Sequence, residues 1–115
     1  MGLHRVASLQ RLWVGEMMSV VVDGMPVLLV NVDGQVRAYE DRCCHEATPL
    51  SEGFLDGKTI VCGAHFWSYD ACTGCAVNPG GAQLRRFRVE VIGSHVLVDV
   101  TASPLEAGGG GGGEA

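Results

Sequence analysis

The chain of 115 residues is an all-β protein, a small antiparallel sandwich or partial barrel. Two observations lead there. Three β-branched runs, Ser19 to Val22, Pro26 to Val32 and Val36 to Glu40, are separated by Asp23-Gly24 and Asp33-Gly34, both strong hairpin signals. Further on, Leu84 to Ile92 and His95 to Val100 alternate apolar and polar positions and meet at Gly93-Ser94, a closing hairpin.

Taken in order, His4 to Ala7 is read as a short strand. Ser8-Leu9-Gln10-Arg11-Leu12 opens on an N-cap residue and is read as one helical turn before Trp13, which is assigned to the core. The meander follows. Pro26 has no N–H to give a ladder, which places it at a strand start or edge. From Asp41 to Gly53 the apolar pattern stops. Lys58 to Val61 and Phe66 to Tyr69 read as strands on either side of a short loop, and Asp70 to Gly81, rich in Gly, Asn and Pro, reads as loop. Gly108 to Gly113 is an unbroken run of glycine, with too little to bury to be ordered.

Composition narrows the function. A formal charge of −5 spread along the chain gives nucleic acid no basic surface. The densest cationic stretch, Arg85-Arg86-Phe87-Arg88, alternates like a solvated strand. A partner with a basic docking patch suits such a surface better. Met1 to Gln10 lacks an apolar signal core, and Asp23, Gly24, Pro26 and Asn31 break the most hydrophobic segment, so neither secretion nor membrane insertion is expected. Five cysteines, an odd number, make no secreted disulfide framework. The expected location is a reducing cytoplasm.

The chemistry lies between Cys43 and His65. Cys43-Cys44-His45 is followed after sixteen residues by Cys62-Gly63-Ala64-His65, so each end offers one thiolate and one imidazole. Zinc in a tetrahedral site gives no reason for each loop to supply the same mixed pair. A [2Fe–2S] cluster of the kind in which two cysteines hold one iron and two histidines the other does give one. Cys43, His45, Cys62 and His65 are therefore the candidate cofactor and metal ligands. The rival readings are zinc on the same four side chains, or buried structural cysteines beside ordinary loop histidines.

The flanking residues carry a resemblance that covers most of the chain. Leu50-Ser51-Glu52-Gly53, His65-Phe66-Trp67-Ser68-Tyr69-Asp70, Thr73-Gly74 and Asn78-Pro79 are similar to Rieske-type ferredoxins. Leu12-Trp13-Val14-Gly15-Glu16-Met17 resembles the ferredoxins of toluene, alkene and isoprene monooxygenases. The resemblance implies a Rieske fold over residues 1–105, with a small cluster-binding subdomain over about 41–81 and a flexible tail at 106–115. It implies one Rieske-type [2Fe–2S] cluster and no substrate site of the chain's own.

The implied role is one-electron transfer from an NAD(P)H-dependent reductase to a di-iron hydroxylase, by a monomer that meets both partners transiently, without nucleic acid or membrane. The alternatives are a ferredoxin of an aromatic-ring dioxygenase, a nitrite reductase small subunit, or a zinc-binding structural module. Leu50, Phe66 and Pro79 stand where the family shields its cluster. Thr48 and Ala64 stand where respiratory Rieske proteins carry a bridging disulfide, which implies a lower-potential cluster. Replacing two thiolates by neutral imidazoles leaves the oxidised cluster neutral rather than doubly negative, so any such centre accepts an electron more readily than an all-cysteine one.

The remaining candidates are weaker. Cys44 lies between two ligands whose side chains point elsewhere, and Cys72 and Cys75 form a C-x-x-C pair with no second pair to complete a zinc site; all three are assigned as bystanders. Trp67 and Tyr69 are assigned to packing. His4 and His95 have no partner at ligand spacing. Glu40, Asp41, Glu46 and Glu52 are solvated singly, and as a group could orient a basic partner.

Overall fold

The computed structural model describes residues 2–44, 48–63, 66–78 and 80–101. The candidate ligands His45 and His65, with Glu46, Pro79 and the glycine-rich tail, lie outside the described residues. Ten strands make up two antiparallel sheets. In chain order they are β1 (His4–Ser8), β2 (Met17–Val22), β3 (Met25–Val32), β4 (Gln35–Glu40), β5 (Phe54–Asp56), β6 (Thr59–Val61), β7 (Ser68–Asp70), β8 (Ala76–Asn78), β9 (Arg86–Ile92) and β10 (His95–Asp99). The larger sheet runs β1-β10-β9-β4-β3-β2, and its edge strands β1 and β2 approach one another, so that it nearly closes. The smaller runs β5-β6-β7-β8. The all-β expectation holds. Among the described residues no helix is long and apolar enough to cross a membrane.

The hairpins form where the sequence places them. Asp23 and Gly24 have φ of 51° and 80°, and Asp33 and Gly34 have 56° and 86°. A two-residue turn with both residues left-handed matches the twist of its flanking strands, and glycine takes the second position without strain. These two turns fix the register of β2, β3 and β4, with Val22 opposite Met25 and Val32 opposite Gln35.

Strand β3 serves two cores. Its residues from Val27 to Val32 are all buried, because both faces are covered. Val27 and Leu29 join Leu12, Val22, Ala38, Phe87, Val96 and Val98 inside the larger sheet. Leu28, Val30 and Val32 face the other way and join Tyr39, Cys43, Leu50, Ile60, Cys62 and Tyr69. This second core is the one that continues into the ligand-bearing loops.

Four local expectations need correcting. Ser8 closes β1 and residues 9–12 turn without forming a helix: Arg11 N–H donates to Ser8 O at 2.9 Å, and Gln10 N–H to the Ser8 hydroxyl at 3.1 Å. Trp13 is not core but 66% exposed, its Nε1–H satisfied by Gln10 O at 2.8 Å. Strand β5 appears in a segment with no apolar run, and β8 interrupts the expected loop at 70–81. Both are three residues long, too short for a period to show.

Tyr39 joins the sheets. It is fully buried and its hydroxyl donates to Ala71 O at 2.7 Å. Burial pushes its pKa up to about 12, against the pull of Arg86 and Arg37. A tyrosine whose folded pKa is raised stabilises the fold fully below its unfolded value near 10, and that stability is lost as pH rises toward 12. The loss amounts to roughly 3 kcal/mol. Urea midpoints measured from pH 9 to 12 should therefore fall more steeply for the wild type than for Tyr39→Phe. Parallel curves would refute the assignment.

Candidate metal centre

Cys43 follows β4 and Cys62 follows β6, so rigid strands deliver both thiols to one place. Both are almost fully buried, at 2% and 1% exposure, in the same apolar core as Leu50, Ile60 and Tyr69. Backbone bonds close each loop on itself. Cys43 N–H donates to Thr48 O at 2.9 Å, Cys62 N–H to Trp67 O at 2.7 Å and Phe66 N–H to Cys62 O at 3.1 Å. The Thr48 carbonyl thus closes the first loop. Phe66 has φ of 60° and is 67% exposed. A bulky left-handed residue next to a candidate ligand is strain of the sort that gathers at functional sites.

Two side chains that sequence reasoning had assigned otherwise hold the first loop. Asp41, grouped above with solvated charges, is 5% exposed. Its Oδ1 accepts Ser51 N–H at 2.8 Å and its Oδ2 accepts the Ser51 hydroxyl at 2.7 Å. Asp41 therefore clamps the strand before Cys43 to the turn at Leu50–Glu52 and is no docking charge. Glu52 stays exposed and Glu40 half-exposed.

Tyr69 does more than pack. Its hydroxyl oxygen accepts Cys44 N–H at 2.9 Å and lies 3.3 Å from Cys43 Sγ. In the thiol form either atom of this pair can donate, whereas a Cys43 thiolate has no proton and leaves the tyrosine hydroxyl as the donor. Burial, then the bond to Cys43, raises the Tyr69 pKa well above the usual range, so the hydroxyl remains a donor. Neither contact has a sequence signal, because Asp41 meets Ser51 ten residues away and Cys43 meets Tyr69 twenty-six away.

The other cysteines are elsewhere. Cys44 and Cys75 are exposed, the first reaching Gln83 O at 3.6 Å and the second Gln83 Oε1 at 2.9 Å, while Cys72 is half-buried. Among the described residues no group of three or more His, Cys, Asp or Glu side chains is placed to hold a metal.

A model of the Rieske [2Fe-2S] domain matches residues 2–88. The chain belongs to that family. The Rieske chain is 33% identical to the ferredoxin component of a naphthalene 1,2-dioxygenase system from Pseudomonas aeruginosa, over 76% of this chain and 85% of the relative. It is 36% identical to the ferredoxin component of an alkene monooxygenase system from Xanthobacter autotrophicus, over 88% and 84%. Its fold matches a chain in the complex of reduced oxygenase and oxidised ferredoxin of carbazole 1,9a-dioxygenase with a TM-score of 0.80 at 33% identity, covering 90% of this chain and 97% of that one. The carbazole 1,9a-dioxygenase ferredoxin of Nocardioides aromaticivorans IC177 gives 0.78 at 29% identity, covering 91% and 100%. These relatives are electron-transfer components, not catalytic subunits.

The cofactor of the Rieske chain is one Rieske-type [2Fe–2S] cluster. The described residues fit it. Two buried cysteines converge in one core, a phenol hydroxyl meets one sulfur, and the rest of the lining is apolar. Were Cys43 to hold an iron as a thiolate, a bond from Tyr69 to its sulfur would strengthen as negative charge accumulated there and favour the reduced state. Tyr69→Phe should lower the reduction potential by up to roughly 60 mV, the limit set by a hydrogen bond to a charged group worth about 1.5 kcal/mol if it were formed only in the reduced state. Protein-film voltammetry measures it, and an unchanged potential would remove Tyr69 from the tuning of the cluster.

Proposed function

We propose that the chain carries single electrons from an NAD(P)H-dependent flavin or iron–sulfur reductase to the di-iron hydroxylase of a hydrocarbon monooxygenase. The observation that carries this reading is the pair of buried cysteines, Cys43 and Cys62, at strand ends in a chain whose relatives serve oxygenase systems. In it Cys43 and Cys62 hold the inner iron as thiolates, and His45 and His65 hold the outer one. The cluster supplies the redox chemistry, accepting one electron and giving it up.

The protein supplies the rest. Leu50, Ile60 and Tyr69 exclude water on the thiolate side, and Asp41 and Ser51 hold the first loop. Electrons pass at the histidine edge. There the exposed Phe66 ring gives a partner an apolar contact beside His65. Because monooxygenation consumes two electrons and a [2Fe–2S] cluster carries one, the carrier must dock, leave and return, so its interface is small and short-lived. It acts as a monomer in the cytoplasm. The segment Leu12–Met17 and the alkene monooxygenase relative favour the di-iron partner. The naphthalene and carbazole dioxygenase relatives favour a second reading, delivery to a ring-hydroxylating dioxygenase.

Two measurements decide. EPR after dithionite should give the anisotropic signal of a histidine-ligated mixed-valence cluster, with matching iron and acid-labile sulfide. A colourless protein holding one zinc, and inert to iron–sulfur reconstitution, would end the electron-carrier reading. Turnover reconstituted with an alkene monooxygenase and with a naphthalene dioxygenase, each lacking its ferredoxin, separates the two oxygenase classes.

A further inference from the structure

Among the described residues, four of the eight exposed large apolar side chains lie in segments at the end of the larger sheet opposite the β4–Cys43 connection. Of eight such residues, Trp13 and Val14 are 66% and 64% exposed, and Val91 and Ile92 are 42% and 57% exposed. The backbone brings them together. Ile92 lies opposite His95, His95 lies opposite Ser8, and Leu9 N–H donates to Ser94 O at 2.8 Å. Two grooves are lined by adjoining segments of the chain here. One, of about 400 Å³, is lined by Leu9, Leu12, Trp13, Val14, Asn31 and Gly34. The other, of about 420 Å³, is lined by Arg5, Val6, Ala7, Ser8, Arg11 and His95. Gly34 precedes β4 and Cys43 follows it, so the length of that six-residue strand, roughly 20 Å, separates this pole from the ligand loops.

The second groove is cationic in a protein of net charge −5. Among the described residues neither Arg5 nor Arg11 meets a carboxylate; the ion pairs are His4–Asp23, Lys58–Asp33 and Arg88–Glu90. The nearby Glu16 is engaged by its own loop, its Oε1 accepting Trp13 N–H at 3.1 Å. The strand carrying Arg5 is bulged between Arg5 and Ala7, a device that re-aims side chains at sheet edges. At the floor of the apolar groove Asn31 is 4% exposed, and its Oδ1 has no hydrogen-bond donor. Tryptophan flanked by arginine is the composition of an interface hot spot. The unpaired cations select the occupant.

Building on the electron-carrier reading, we propose that this pole is a second docking surface, for an acidic, apolar-centred patch on a protein component of the same electron-transfer chain. Carboxylates of the partner pair with Arg5 and Arg11 while an aliphatic or aromatic side chain packs on Trp13 and Val14. The occupant holds the carrier from behind and leaves the histidine edge free to meet the other component.

The test uses cluster-loaded protein labelled with 5-fluorotryptophan. The chain has two tryptophans, and Trp67 packs against the core that holds Cys43 and Cys62 while Trp13 does not, so a cluster bound there would broaden Trp67 and spare Trp13. Purified reductase and oxygenase components of the system are added in turn. The Trp13 fluorine resonance should shift and broaden with one of them at low salt. Arg5→Glu/Arg11→Glu should weaken that binding at least tenfold while keeping the cluster's EPR signal. A Trp13 resonance indifferent to both components overturns the proposal, as does charge-reversed protein that binds like wild type. A response to inorganic phosphate alone also overturns it, by making the groove a small-anion site. Loss of the EPR signal from wild-type protein would instead overturn the electron-carrier reading.

Discussion

Cys62→Ala should purify colourless, with iron and acid-labile sulfide both absent. Cys62 is 1% exposed in the core that also holds Cys43, so bulk water has little access to stand in for a lost ligand. A cluster that binds only the folded chain adds its binding free energy to folding, so the variant should also melt well below the wild type. His45→Ala and His65→Ala should likewise lose the cluster. The control is Cys44→Ser, Cys72→Ser and Cys75→Ser combined, which should keep the full complement. Wild-type iron in Cys62→Ala would sink the ligand assignment. Halved iron in the triple variant would move it toward the C-x-x-C pair.

Gly53→Ala should be nearly as damaging without removing any ligand. A Cβ on Gly53 would lie 1.9 Å from the carbonyl oxygen of Val61 and 3.0 Å from the amide nitrogen of Gly63. Both contacts are backbone, and they flank Cys62. Neither can yield without parting β5 from β6, which pair Phe54 with Val61 at that point. The cost should reach at least ~3 kcal/mol, the upper end of overpacking effects, and lower Tm by more than ~10 °C. Iron content should fall as well, because the displaced segment carries Cys62, a proposed ligand together with His65. Gly80→Ala meets open space and should be silent. Full iron with a Tm within ~2 °C of wild type would show that the two loops are not packed as tightly as Gly53 implies.

The fold was legible where local rules act alone. Asp23-Gly24 and Asp33-Gly34 declare their hairpins, and β9 and β10 declare their alternation. Strands β5 and β8 were missed because three residues carry no period, and the β5–β6 turn is Gly57-Lys58, one residue past the Asp-Gly pair that marks the other two hairpins. Trp13 was misplaced because size predicts burial only on average, and the fold gives its ring no core to enter. At the site, the four candidate ligands stand out by spacing. The groups that hold and tune them do not. Asp41 looks like any loop acid until Ser51 is brought against it, and Tyr69 like any strand aromatic until Cys43 is.

Strand β3 lends alternate side chains to both cores, Val27 and Leu29 to one and Leu28, Val30 and Val32 to the other. A chain with two sheets could open in two stages, the small sheet fraying while the large one stays shut. A shared strand opposes that, because neither core can come apart without exposing the far face of β3. The amides of β3 should therefore exchange with deuterium only through global opening, and at the same rate whichever core is perturbed. Shedding the metal would then loosen the whole molecule together, leaving the cell no half-folded apo form that keeps an intact barrel.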